Sequence, residues 1–185
     1  MINKGYELWI AFFAIIFFSI IYIFVGIIFG GIPPASEFFG HSLGIFGFVL
    51  MLATETLYTF RKRSRIARWG RLSTWLQIHI ITGIVGPYLV LLHSSWKFNG
   101  LAGVVMLMTV MIVISGFIGR YIYTAIPRTA DGIEIEADEL QVAALVTARK
   151  MFALWHTIHI PLGITLFAAA FLHIAAAIYF ATLLR

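Results

Sequence analysis

The pattern H-x3-G-x9-H occurs twice in this chain, in Trp75 to His93 and, eighty residues on, in Trp155 to His173. At that offset eight of nineteen positions are identical: Trp75/Trp155, Ile78/Ile158, His79/His159, Ile80/Ile160, Gly83/Gly163, Ile84/Ile164, Leu92/Leu172 and His93/His173. Neither stretch contains a charged residue. On an α-helix a step of fourteen residues falls about 40° short of four full turns, so both histidines of a copy leave the same stripe. They are separated along the axis by about 21 Å, most of the way across a hydrocarbon core of roughly 30 Å. The repeat therefore demands two apolar helices, each with one histidine near either membrane face.

The rest of the chain fits that demand. Apolar residues make up 61% and charged residues 11%, where soluble domains carry about 25% charged. The uncharged runs predict five transmembrane helices at about 8–30, 41–60, 73–96, 101–126 and 151–183 in one all-α integral membrane domain, 1–185. The first run is too long for a cleavable signal and reads as a retained span. Prolines in GIPPASEFFG break the chain after it. SSWKFNG suffices only for a tight reversal. Segments 61–72 and 127–150 read as cytoplasmic, the latter with a short surface helix and the acids Asp131, Glu134, Glu136, Asp138 and Glu139.

The net charge of +5 raises nucleic acid as a partner, but the charges sit at the ends of the apolar runs. That is where orientation in a membrane is decided. With the N-terminus inside, Lys4, Arg61, Lys62, Arg63, Arg65, Arg68, Arg71, Arg120, Arg128, Arg149 and Lys150 are inner, and only Lys97 and Arg185 outer. This predicts a cytoplasmic N-terminus and an outer C-terminus in a bacterial-type cytoplasmic membrane. No nucleic acid is implied. Helices 3 and 5 then run parallel, so His79 meets His159 at an inner depth and His93 meets His173 at an outer one.

Two facing imidazoles are an axial ligand pair for haem iron, the porphyrin supplying the other four positions. The expectation is two bis-histidine haem b groups, with helices 2–5 forming a dihaem four-helix bundle. Gly83 and Gly163, one turn beyond the inner histidines, would clear room for the macrocycle. Gly103 and Gly116 on helix 4 are spaced to suit the same purpose. Cysteine is absent, which excludes disulfides, thiolate-held iron–sulfur clusters and C-x-x-C-H haem attachment. The competing readings are histidines hydrogen-bonded between helices, bare metal ions with a poor ligand set, and chlorophyll-type pigments needing one histidine each.

Arg120 is the inner cation placed to meet haem propionates, against simple snorkelling, and Lys97 is a weaker outer one. His156 reads as an interfacial residue or as a propionate or quinone contact. His41 reads as interfacial or as an outer propionate contact. Glu55 reads as a partner of Arg61 or as a proton or quinol group.

Helices 2 to 5 resemble the dihaem core of membrane b-type cytochromes. The fourteen-residue histidine spacing on two helices is similar to cytochrome b of quinol–cytochrome c oxidoreductases. The extra first helix, with ligands on the third and fifth, looks like the ferric-reductase and NADPH-oxidase transmembrane domain. In both, the ligand positions correspond to His79, His93, His159 and His173. No sixth helix, no flavin/nicotinamide domain and no Pro-Glu-Trp-Tyr quinol run is found here. The resemblance implies an electron-transfer subunit working with other redox subunits (cytochrome c, an iron–sulfur or a flavin protein), with quinone as a further partner and membrane lipid around it. The alternatives are a self-sufficient quinol- or ferric-reductase-type enzyme and a haem-free structural or transport subunit.

Overall fold

The computed structural model describes residues 5–63, 70–124 and 142–183. These form five α-helices: α1 Tyr6–Phe29, α2 Phe38–Arg63, α3 Leu72–His93, α4 Gly100–Thr124 and α5 Val142–Leu183. All five are long and apolar enough to cross a membrane, and the described residues contain no strand. Helix is what an apolar span must adopt, because only i to i+4 bonding satisfies its backbone within the segment.

Each end has a local cause. Gly30 stops α1 in the left-handed region at φ 70°, and the Gly31 N–H reaches back to the Gly26 carbonyl at 2.9 Å. α3 ends at His93, three residues before the expected boundary. Ser95 and Trp96 turn left-handed there, at φ 48° and 63°. The Ser95 hydroxyl donates to the Pro33 carbonyl at 2.6 Å, which ties this turn to the one between α1 and α2.

α5 departs most from expectation. It begins at Val142, so residues 142–150 continue the helix instead of belonging to a separate surface segment. Its 42 residues would span about 63 Å at 1.5 Å per residue, twice a hydrocarbon core. The surface helix and the acids expected between 127 and 141 lie outside the described residues, as do Lys4, Arg65, Arg68, Arg128 and Arg185.

α3 packs on α2 and α1, α5 on α4, and a thinner α3–α4 seam joins the halves. The α2–α3 crossing is close because glycines face each other. A Cβ at Gly47 would lie 2.7 Å from the Gly86 carbonyl oxygen, and one at Gly86 would lie 2.6 Å from Met51 Cγ. One core collects Ala11, Tyr22, Leu43, Val85, Leu89 and Leu92; a second collects Val105, Leu166 and Ala170, with Phe48 and Met51 of α2 against them. α1 lies outside the other four, presenting Trp9, Phe13, Phe17, Ile20 and Phe24 outward as a lipid-facing surface. α3 and α5, the histidine helices, form no packed interface with each other.

Candidate cofactor site

The four repeat histidines are all partly buried, at two levels of the bundle. One level lies toward the basic end, where Arg61, Lys62 and Arg63 close α2. The other lies toward the opposite end, near His41. His159 lies within electrostatic reach of His79, and His93 within reach of His173. The parallel run of α3 and α5 accounts for this like-with-like pairing.

At the far level the His93 ring rests on α2. Its Nδ1–H donates to the Gly40 carbonyl at 2.9 Å. The ring fits because Gly44 has no side chain: a Cβ there would lie 2.7 Å from His93 Cγ. His41, exposed and one turn inside α2, has its ring 6.1 Å from that of His93. His173 makes no hydrogen bond among the described residues.

At the basic-end level His79 stacks on Tyr58, with centroids 5.1 Å apart and planes at 30°. Its Nδ1 faces Glu55 Oε2 at 3.4 Å, a long approach and more electrostatic than a formed hydrogen bond. The Thr59 hydroxyl donates to the other carboxylate oxygen at 3.2 Å. Glu55 thus meets His79 and Thr59, while the Arg61 that sequence spacing offered it donates to the Gly70 carbonyl at 3.0 Å.

His159 turns instead to α4. Its Nδ1 is hydrogen-bonded to the Ser115 hydroxyl at 2.9 Å, and its ring stacks on Trp155 with centroids 4.5 Å apart. The Trp155 indole N–H donates to the Ser115 carbonyl at 2.7 Å and also approaches its hydroxyl at 3.1 Å. A hydroxyl with two lone pairs can accept from both indole and imidazole. Gly119 makes this possible, since the Trp155 ring occupies the place a Cβ would take.

Three of the four rings therefore engage the protein through Nδ1, and no hydrogen bond among the described residues engages their Nε2 atoms. A carbonyl can only accept, so at His93 the proton sits on Nδ1 and the lone pair on Nε2. This is the usual disposition of a metal-bound imidazole, whose outer N–H is held by a carboxylate, carbonyl or hydroxyl. A Cβ at Gly83 or Gly116 would meet nothing within 4 Å, and one at Gly163 only Ile112 Cδ1 at 3.9 Å. In donor chemistry the histidines match what a bis-imidazole metal group would need, and these glycines put no side chain beside them. Gly103 does not belong with them, because a Cβ there would strike the Phe98 backbone at 2.6 Å; it serves the turn. Among the described residues no three His, Cys, Asp or Glu side chains converge as a metal site by themselves.

The cation suggested for propionates is engaged elsewhere. Arg120 Nε and Nη2 both donate to Glu7 Oε1, at 3.0 and 2.7 Å, joining α4 to α1. Glu7 Oε2 is left buried without a partner. Lys97 is exposed in the far turn. The Lys62 amine lies 3.3 Å from His156 Nε2, bridging α2 and α5 at the basic end, and the His156 Nδ1–H donates to the Phe152 carbonyl at 3.2 Å.

Sequence reasoning missed Ser115, Tyr58, Gly40 and Gly44. Gly40, Gly44 and Gly47 recur at i, i+4 and i+7 on α2, a small-residue stripe that marks a helix face meant for close approach. Ser115 and Tyr58 carry no comparable signal. No family model, curated protein or solved structure matches the chain.

Proposed function

We propose that this chain is a dihaem b-type cytochrome that conducts single electrons across a membrane as one subunit of a larger redox complex. The reading is supported by one observation: His79, His93 and His159 engage the protein through Nδ1, with no hydrogen bond to Nε2 among the described residues, on two helices that pack mainly against other neighbours. His79 and His159 would hold one haem, His93 and His173 the other. Haem b supplies a one-electron couple, ferric to ferrous, at each level.

The residues do the remaining work. Gly40, Glu55 and Ser115 orient the imidazoles. Gly83, Gly116 and Gly163 leave the ring space clear. Trp155 and Tyr58 shield ligand rings by stacking. Lys62 and His156 bridge α2 and α5 beside the basic-end level, where anionic propionates would find a cation. Arg61, Lys62, Arg63, Arg71, Arg149 and Lys150 favour a cytoplasmic position for that end. One-electron partners, soluble or membrane-bound, would dock at either face.

Purification of the full chain in detergent, followed by a reduced-minus-oxidised visible spectrum and haem quantification, tests the reading. Two low-spin bis-imidazole haems per chain are expected. A colourless protein that stays colourless after haem addition leaves only a polytopic helical bundle.

A further inference from the structure

The two levels treat their α3 imidazole differently. Behind His79 stands a carboxylate, Glu55 Oε2 at 3.4 Å. Behind His93 stands a neutral carbonyl, that of Gly40 at 2.9 Å. A carboxylate behind a ligating imidazole raises ligand basicity far more than an amide carbonyl does, because negative charge on the acceptor pulls the Nδ1 proton outward. A more basic imidazole favours ferric over ferrous iron. Axial-ligand character and outer hydrogen bonding are the levers by which a protein sets haem potential.

Resting on the dihaem reading above, we propose that Glu55 is a positioning and tuning residue that makes the basic-end haem the lower-potential member of the pair. Electrons then run downhill from the Glu55 level toward the His41 level. With haem held at both levels, the exchange would be a single electron passed between the two irons, one oxidised as the other is reduced.

Glu55 is held for this role. The Thr59 hydroxyl one turn along α2 fixes its other oxygen at 3.2 Å, and its side chain is only half exposed, at 45%. The opposing influence is Lys62, which also acts on His79. Its amine rests against His156 Nε2 at 3.3 Å and over the Tyr58 ring at 5.8 Å, the ring on which His79 stacks. The carboxylate at 3.4 Å from the ring nitrogen is close enough to act strongly, since Coulomb energy falls with distance. At the far level the titratable groups acting on His93 are His41, exposed, and His173; Glu37 stands one turn before His41 and makes no ion pair with His93 among the described residues.

The test is a spectroscopic redox titration of the full chain in detergent. Wild type should show two one-electron waves. Glu55→Gln, which keeps size and acceptor but removes charge, should move the lower wave upward by about 59 mV, a tenfold change in the reduced-to-oxidised ratio. The upper wave should stay in place. Glu55→Asp, which draws the carboxylate back by one methylene, should move the lower wave the same way by less, and it decides the question should the Gln variant not fold. Lys62→Met should move the lower wave down. A lower wave unmoved by both Glu55 variants, or movement confined to the upper wave, overturns the assignment while leaving two haems in place. Wild type without haem overturns the dihaem reading itself.

Discussion

α3 and α5 carry the same repeat in opposite surroundings. α3 is wedged between α1 and α2 and buries Val85, Gly86, Pro87, Leu89 and Leu92. α5, nearly twice as long, buries Leu145, Leu166 and Ala170 and leaves Leu154, Ile158, Ile164, Phe171 and Leu172 exposed. The two copies share the histidines and the open glycine. They diverge where each helix meets its neighbour: Gly86 admits α2, whereas its counterpart Leu166 fills the α4–α5 core. Identical positions thus specify where the imidazoles lie, and divergent ones specify what stands behind them. His93 is backed by a carbonyl, His79 by a carboxylate and His159 by a hydroxyl.

The largest test of this division removes one proposed ligand from each helix. His93→Ala and His173→Ala should each abolish the far-level haem, halving haem per chain by quantitative spectroscopy. If the repeat acts as a pair of equal ligands, the two variants give the same spectrum. A chain that keeps both haems after His173→Ala would break the equivalence and remove His173 from the ligand set.

Stability should expose the same asymmetry. Glu7 and Arg120 fasten the α1 side of the bundle to α4, with side chains 7% and 20% exposed. Arg120→Ala would strand a buried carboxylate and should cost roughly 3 kcal/mol, the lower end for breaking such a pair. Unfolding in detergent followed by circular dichroism would measure it. Glu7→Gln with Arg120→Gln should recover most of the loss; failure to recover would mean the pair does more than fasten α1.

The glycines sharpen the comparison further. With nothing within 4 Å of a Cβ at Gly83, Gly83→Ala should stabilise the haem-free helix by about 1 kcal/mol. In the haem-loaded protein the methyl would press on the ring and weaken retention. Gly44→Ala should instead harm the protein with or without haem, because the His93 ring already fills that space. Thermal denaturation of each variant with and without haem separates the two. A Gly83→Ala protein that holds haem as tightly as wild type would remove the glycine from the site.

The spans were legible because they rest on a one-dimensional signal, an uncharged run of membrane length, and the two levels of histidines because they rest on a spacing near whole helical turns. Boundaries came within a few residues, except at α5. There Arg149 and Lys150 look like a membrane edge, yet VAALVTARKMFALW consists largely of good helix formers, so the helix extends past the charge. What stands behind each histidine was not legible, because it depends on how two helices are rotated against each other. Glu55 shows why. Along its own helix the nearest basic partner is Arg61, but α2 turns that carboxylate toward α3, where it meets His79. Arg120 likewise faces α1, a helix that the bundle of four alone would not bring into account.

The smallest expected effect lies at Ser115. Its hydroxyl meets His159 Nδ1 at 2.9 Å, but its carbonyl anchors Trp155 at 2.7 Å independently of the side chain. Ser115→Ala therefore removes the acceptor behind the α5 imidazole while the indole stack that shields it survives. A neutral hydroxyl contributes less to ligand basicity than a carboxylate, so the lower redox wave should rise by less than it does in Glu55→Gln, with haem content unchanged. The same titration measures both. If Ser115→Ala shifts the wave as far as Glu55→Gln, charge behind the ring is not what distinguishes the two histidine helices. The contrast between α3 and α5 would then reduce to how firmly each ring is held.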